Sequence, residues 1–336
     1  MRKACFVAIV FFVITGAPVF GAGEAETYPA RDITNILVWG AGGGTDTANR
    51  LVMAEMSDIL GVPINVQNVT GGVAGSEGMT RAYEEAHDGY TLAGISESIV
   101  TAGVLGGWDR GMDVWDFFII GGSPTAISVS PNSDYDTLDD LIEVVVANPG
   151  SIRAGASAAG SIHHLNLLAF EQAIDSDFHF VPYDSSAGSQ TAAMTGEIEV
   201  VITTVAEQAQ LIRGGELRPL AVLVPQEFRF ADSVIPSAWD YADGLDEYLP
   251  IEQAIGFAVA MDVPEDRKQT LRDAFDQAMQ SSEILEWLDN NYWFPSGVSG
   301  DEANRIFADL ERSFSWTLWE LGAATVHPDE LGIERP

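Results

Sequence analysis

Short apolar runs alternate along this chain with longer segments whose apolar positions recur three and four residues apart. Residues 33–39 (ITNILVW) read as a buried strand, 64–69 (INVQNV) as a second and 89–95 (GYTLAGI) as a third. Between the first two, residues 45–59 predict a helix with Leu51, Val52 and Met56 on its apolar side. Further on, 137–147 predict a helix, and 152–154, 199–203, 217–223 and 255–261 predict strands. Asp262, Pro264 and Glu265 then form a helix-start signature, and Leu271, Phe275, Ala278 and Met279 give that helix a stripe for core packing. The stretch 225–253 is aromatic but has no period. Strand and helix alternation of this kind predicts an α/β fold whose sheets are mixed, mostly parallel and flanked by helices.

Two places in this pattern share one design. At 36–47 (ILVWGAGGGTDT) a strand runs into a glycine-rich turn and then a helix. At 152–168 (IRAGASAAGSIHHLNLL) a short strand runs into Gly155, Ser157, Gly160 and Ser161, and then a helix. The pattern changes between them, at 121–129 (GGSPTAISV), which predicts a crossing between two lobes. Each lobe would then offer a helix N-terminus with free N–H groups and hydroxyls, a natural place for an anion.

The first residues change the setting. Arg2 and Lys3 precede an apolar stretch from 4 to 20, and small residues follow up to Ala25. Residues 1–23 are therefore expected to be a cleaved secretory signal peptide, with a retained anchor as the alternative. Cys5, the only cysteine, lies inside that segment, so the remaining chain of about 310 residues would have no disulfide, thiol nucleophile or cysteine metal site. The net charge is −34, and losing residues 1–23, with Arg2 and Lys3 and no acid, makes it more negative. Such a surface repels nucleic acid and anionic lipid. The acids are scattered as on a solvated surface, and no DxDxDG calcium loop is present.

Several chemistries fail on spacing. From Gly40 the letters G-A-G-G-G-T lack the last glycine of a dinucleotide turn, and no acid occurs between Ile64 and Asn68 for a ribose. No lysine follows as a phosphate loop requires. Gly155-Ala156-Ser157-Ala158-Ala159 has alanine where a hydrolase elbow needs its last glycine, although a secreted serine hydrolase using Ser157 stays an alternative. His163 and His164 are adjacent, so on a helix they point about 100° apart and cannot chelate one ion together. His163 has two readings, contact with a ligand from the first helical turn or packing between lobes. Trp39, at the mouth of the first turn, either lines a pocket or caps the core.

Read in order, several segments resemble the extracytoplasmic substrate-binding proteins of tripartite tricarboxylate transporters, the Bug family. They are YPARDITNILVWGAGGGTD, GVPINVQNVTGGVAGSEG, HDGYTLAG, HFVPYDSSAGSQTAAMTGEIEVVI and LIRGGELRPLAV, and together they run from about residue 28 to 321. The resemblance implies a two-lobed, type II-like periplasmic-binding-protein fold with a cleft between the lobes. It places residues 28–124 and 226–336 in lobe 1 and 125–225 in lobe 2. It further implies a receptor without catalytic activity, cofactor or metal. Such a receptor is a periplasmic monomer that closes on a small organic anion, a carboxylate in most of the family, and delivers it to membrane permease subunits; a sensory receptor without transport would look the same.

The ligand-binding positions that follow are Trp39, Ala41, Gly42, Gly43, Gly44, Thr45 and Asp46 in the first turn, and Ser157, Ala158, Gly160, Ser161 and His163 in the second. Ser96, Glu97 and the rest of the stretch 96–98, together with Tyr183, Thr203 and Thr204, also face the family's cleft. Four features depart from the family pattern: Asp184 replaces a basic residue after V-P-Y, Thr203-Thr204 replace Asp-Asn, the prolines flanking the aromatic residue are Val38 and Gly40, and Glu97 is an acid beside an anion pocket. A familiar dicarboxylate or tricarboxylate is therefore not assumed, and Trp39 adds aromatic acids to the candidates.

Overall fold

The computed structural model describes residues 27–251 and 253–336. The expected signal peptide and Cys5 lie outside the described residues. In chain order the elements are β1 (Ile33–Leu37), α1 (Gly44–Leu60), β2 (Ile64–Asn68), α2 (Ser76–Tyr83), β3 (Thr91–Ser96) and β4 (Trp115–Gly122). Then follow β5 (Thr125–Val129), α3 (Leu138–Ala147), β6 (Arg153–Ser157), α4 (Ile162–Ile174), β7 (His179–Tyr183), α5 (Ser186–Thr195), β8 (Val200–Thr204), α6 (Val205–Arg213) and β9 (Arg218–Val222). A hairpin of β10 (Phe228–Phe230) and β11 (Ser233–Ile235) precedes β12 (Ile255–Ala260), α7 (Glu265–Met279), α8 (Ser282–Asn290), β13 (Phe294–Ser299) and α9 (Asp301–Glu320).

Two sheets organise the chain into two lobes. The first has the order β13-β4-β12-β3-β1-β2, and the second has the order β7-β6-β8-β5-β9. β1 pairs in parallel with β2 and β3, as β6 does with β7 and β8. The other pairings are antiparallel: β12 with β3 and β4, β13 with β4, and β5 with β8 and β9. The sheets are thus mixed, but not mostly parallel as expected. The reversed strands adjoin the crossings, where the chain enters or re-enters a sheet from the opposite end.

The first crossing is only Ser123-Pro124, between β4 and β5, because strand structure fills the rest of the predicted 121–129 segment. The return falls later than the expected boundary at 225/226. Phe230 and Ile235 pack with Ala126, Val205 and Val222, and Ala238, Leu245 and Leu249 join the core of the second sheet. Residues 228–249 therefore pack largely on the second lobe, since their apolar side chains find that core before β12 begins.

Each lobe buries its own apolar layer. In the first, Phe118 stacks on Phe257 with centroids 4.4 Å apart, and Phe275 of α7 meets both rings edge-on. α1 buries Ala48, Val52, Met53 and Met56 on this sheet and ends at Gly61, whose φ of 71° suits a helix C-terminal glycine. In the second lobe, Ile127, Val129, Phe170, Val200 and Ile202 form the centre. Predicted strands and helices that carried a clear period all occur at or near their expected places.

Candidate binding site

The first turn is built from its glycines outward. After β1, Trp39 is buried and its indole Nε1–H donates to Ser96 Oγ at 3.0 Å. The Gly40 N–H donates to the carbonyl of Asp184 in the other lobe at 3.1 Å. A Cβ at Gly40 would stand 2.9 Å from that of Ser185, so a larger residue would push the lobes apart. Gly42 takes a φ of 81° and donates its N–H to Asp46 Oδ2 at 3.0 Å. Asp46 also accepts from Arg50 Nε and Asn68 Nδ2, both at 2.9 Å. Burial pushes this carboxyl up, but those three donors outweigh burial and hold it below the usual carboxylate range. Asp46 thus fixes the turn from behind.

The second lobe contributes three helix starts. Ser161 caps α4, Ser185 caps α5 and Thr204 caps α6, each accepting from a backbone N–H of the first turn of its helix. Gly160 precedes α4 with a φ of 79°, and a Cβ there would run into Leu105 of the first lobe. Its carbonyl accepts from Thr101 Oγ1 across the cleft at 2.8 Å.

Glu207 is the third residue of α6 and completes a capping box with Thr204 through Oε2. Its other oxygen, Oε1, accepts from Ser186 Oγ at 2.7 Å and from the Gly44 N–H of α1 at 3.1 Å. His163 Nε2 lies 3.1 Å from Oε2, and the two side chains are only 3% and 5% exposed. Burial raises this carboxyl, but His163 and the bonds from Thr204 and Ser186 outweigh it and bring it down to about 2.

Glu97, in the turn after β3, is fully buried. Oε1 accepts from the N–H and hydroxyl of Ser98, and Oε2 accepts from the Ala254 N–H at 2.8 Å. Burial nevertheless keeps its carboxyl above the ordinary range. Ser98 Oγ in turn accepts from the Ile162 N–H at 2.9 Å, linking the first lobe to the start of α4.

A cavity of about 20 Å³ lies between these groups, room for about one water-sized body. Of the residues expected from sequence, Trp39, Gly43, Gly44, Thr45, Ser96, Glu97, Ser98, Ser157 and His163 line it. The others do different work. Ala41 and Gly42 lie exposed at the rim. Gly160 and Ser161 shape the turn into α4, and Ala158 is half-buried beside them. The Tyr183 hydroxyl turns away to Glu197, Thr203 holds Gln190, and Thr204 caps α6. Ile162, Ser185, Ser186, Glu207 and Gln253 also line the cavity. For Glu207 the local signal was present, since Thr204-x-x-Glu207 is a capping-box spacing, but nothing local pointed to Gly44.

One nitrogen of His163, Nδ1, is buried without a hydrogen-bond partner among the described residues. No hydrogen bond joins Ser157 to His163 among those residues. Ser157 is also absent from the non-glycine positions with positive φ, which are Ala74, Asp175, Ala231 and Tyr292. It therefore lacks the strained turn of a nucleophile elbow. No described cluster of three or more His, Cys, Asp or Glu could hold a metal ion.

Two sheet-centred lobes, joined by two crossings and enclosing a polar cavity, define a periplasmic-type solute-binding protein. The family model for the tripartite tricarboxylate transporter family receptor matches residues 48–315, and the chain belongs to that family of solute-binding receptors. It is similar to Protein BugT of Bordetella pertussis, 27% identical over 333 residues that cover 96% of this chain and 99% of the relative. A protein from the gbd 5′ region of Cupriavidus necator is 28% identical over 307 residues, 90% of each chain.

Among solved structures, a periplasmic transporter aligns with TM-score 0.77 and 25% identity over 88% of this chain and 97% of its own. MatC of Rhodopseudomonas palustris, with bound malate, aligns with TM-score 0.79 and 18% identity over 87% and 100%. Another R. palustris protein, with adipate, gives 0.78 and 22% over 88% and 99%. At those identities the last two share the fold.

Proposed function

We propose that this chain is a periplasmic receptor that captures a small organic acid between its lobes and delivers it to the membrane permease subunits of a tripartite transporter. The observation that carries this reading is convergence: residues at the N-termini of α1 from one lobe and of α4 and α5 from the other line one cavity. Helix N-termini supply aligned N–H donors and positive potential, and the lobes desolvate both when they close. His163, whose Nδ1 is buried without a hydrogen-bond partner among the described residues, also lines this cavity.

Closure would occur about Ser123-Pro124 and the return into β12. The gaps bridged by Gly40 to Asp184, Gly44 to Glu207 and Ser98 to Ile162 would have to widen for any organic solute to enter. The acidic surface does not oppose capture, because charges beyond roughly 10 Å are screened at moderate salt. Malate in MatC and adipate in a second neighbour support an organic acid as the cargo class. No helix among the described residues is long and apolar enough to cross a membrane.

A thermal-shift screen of the purified protein against organic acids, aromatic acids and amino acids tests this. A true solute at about 100 times its Kd should add roughly 2.7 kcal/mol of stability. No shift with any acid, or appreciable turnover of a carboxylic ester, would overturn the reading.

A further inference from the structure

We propose that Tyr292 is a third connection between the lobes, a side-chain pivot beside the two crossings that fixes the axis of closure. This rests on the lobe closure described above and goes beyond it, because the pivot lies outside the solute cavity.

Tyr292 stands just past the end of α8. Its N–H donates to the Asp289 carbonyl at 3.1 Å, and the N–H of Trp293 reaches back to Leu288 at 2.9 Å. This pair of bonds ends a helix on a residue in the left-handed region, a place ordinarily taken by glycine. Here a tyrosine holds it, with a φ of 61°. A bulky side chain is disfavoured at that angle, so the ring is kept against a backbone preference. The two neighbouring side chains then enter different lobes. Trp293 is buried in the core of the first lobe, whereas Tyr292 packs against the second lobe's cluster of Ala126, Val205, Ala209 and Val222.

Second-lobe residues surround the ring. Phe230 of β10 tilts against it with centroids 4.4 Å apart, and Phe228 meets it edge-on at 5.9 Å. The Tyr292 hydroxyl accepts the Ala231 N–H at 2.8 Å, and Ala231 itself takes a φ of 49°. Two left-handed residues that are not glycine, one from each lobe, therefore meet through one hydrogen bond. Arg213, at the end of α6, lies 5.1 Å from the ring centroid and donates to the Asn290 carbonyl. Gln210 Nε2 donates to Asn291 Oδ1 at 3.0 Å.

These contacts adjoin the crossings. β13 follows Tyr292 and pairs Phe294 with Gly122, the last residue before Ser123-Pro124. Ala126 lies just after that crossing, and Val222 ends β9 before the return. α6 starts on the crossing itself, since the Val205 N–H donates to the Pro124 carbonyl at 2.8 Å and the Ala206 N–H to Ser123 Oγ at 3.1 Å. Contacts beside a rotation axis move least as the lobes turn. A ring seated there permits rotation about the crossings and resists twisting or sliding of one lobe on the other.

Spin labels on Ala54→Cys in α1 and Thr191→Cys in α5, exposed positions on opposite lobes, test the proposal on a Cys5→Ser background. Pulsed electron resonance then gives the distribution of distances between the lobes in the purified protein. Tyr292→Gly removes the ring and puts at this helix end the residue its backbone favours, so the fold should be retained. The wild type should show a narrow distribution and Tyr292→Gly one at least about twofold broader. A role confined to packing would lower the melting temperature without moving the distribution. The double variant Gln210→Ala, Arg213→Ala, at exposed positions of α6, should broaden it in the same sense but less. Equal distributions in the wild type and in folded Tyr292→Gly would overturn the pivot. Should Tyr292→Gly fail to fold, an unchanged distribution in the double variant would overturn it instead. The thermal-shift screen reads solute binding and tests the receptor reading separately.

Discussion

Glu207 Oε1 accepts the Gly44 N–H at 3.1 Å, joining residues 163 positions apart in the chain and on opposite lobes. One carboxylate thus caps two helices, α6 through its own capping box and α1 across the cleft. Contact between the lobes passes through this oxygen at the point where solute chemistry is expected.

Gly44→Ala should weaken the contact between the lobes as well as capture. Gly44 opens α1, and a Cβ there would stand 2.6 Å from the buried Glu207 Oε1, so urea unfolding should show an unchanged or less stable protein. The new Cβ would collide with Glu207 on closure, so solute affinity by titration calorimetry should fall at least about tenfold. The same substitution at Gly43, where a Cβ meets its neighbours at 3.6 Å or beyond, should cost far less affinity.

Glu207 also sets an acid limit. Its carboxyl is lowered from an ordinary 4.5 to about 2, so it binds protons more weakly in the folded chain than in the unfolded one. The stability it contributes is complete above about pH 4.5 and is lost as pH falls through about 2. Melting temperature followed from pH 6 to pH 2.5 should drop more steeply for the wild type than for Glu207→Gln. At neutral pH the variant should be less stable by roughly 2–4 kcal/mol, since a buried partner of His163 and Thr204 is lost.

Glu311 of α9 behaves in the opposite sense. Burial, with Asp113 adding to it, raises its carboxyl to about 7 despite the bond it accepts from the Met112 N–H. The folded state therefore binds this proton more tightly than the unfolded state, and stability declines as pH rises from about 4.5 through 7. Glu311→Gln keeps an acceptor for Met112 and should stabilise the protein at pH 8 by roughly 1 kcal/mol, with no gain at pH 4. Denaturant midpoints at the two pH values check this.

Asp116, on β4, is 1% exposed and accepts from Arg272 at 2.5 Å and from Asn304 at 3.1 Å, with Lys268 at 3.9 Å. Asp116→Ala should cost roughly 1–3 kcal/mol in chemical denaturation, because Arg272 loses its buried partner and keeps only the exposed Glu265, and the Asn304 amide loses its acceptor. The site lies away from the cleft, so the order of solute preference should not change.

Where hydrophobic period and capping residues coincide, as at α1, α3 and α7, sequence alone located the elements. Gly61 and Pro264 mark ends that the backbone chemistry makes nearly obligatory. Residues 228–249 were opaque for a physical reason. Their aromatics have no period, so the lobe they join depends on which core lies within reach. Pairing direction was also hidden, since β12 shows the same apolar run whether it enters its sheet parallel or reversed. In the cleft, the turns before α1 and α4 were legible because glycine and serine signal helix starts locally. Glu207 was not, because a capping-box glutamate has the same local sequence whether or not another lobe's N–H meets its free oxygen.

The most direct measurement is a crystal structure of the purified protein with the tightest-binding acid from the screen. The account predicts the solute carboxylate between the lobes, within hydrogen-bond distance of the Gly44 or Thr45 N–H and of Ser157 or Ser186. A solute bound outside this cleft, or one whose carboxylate avoids the N-terminus of α1, would contradict it.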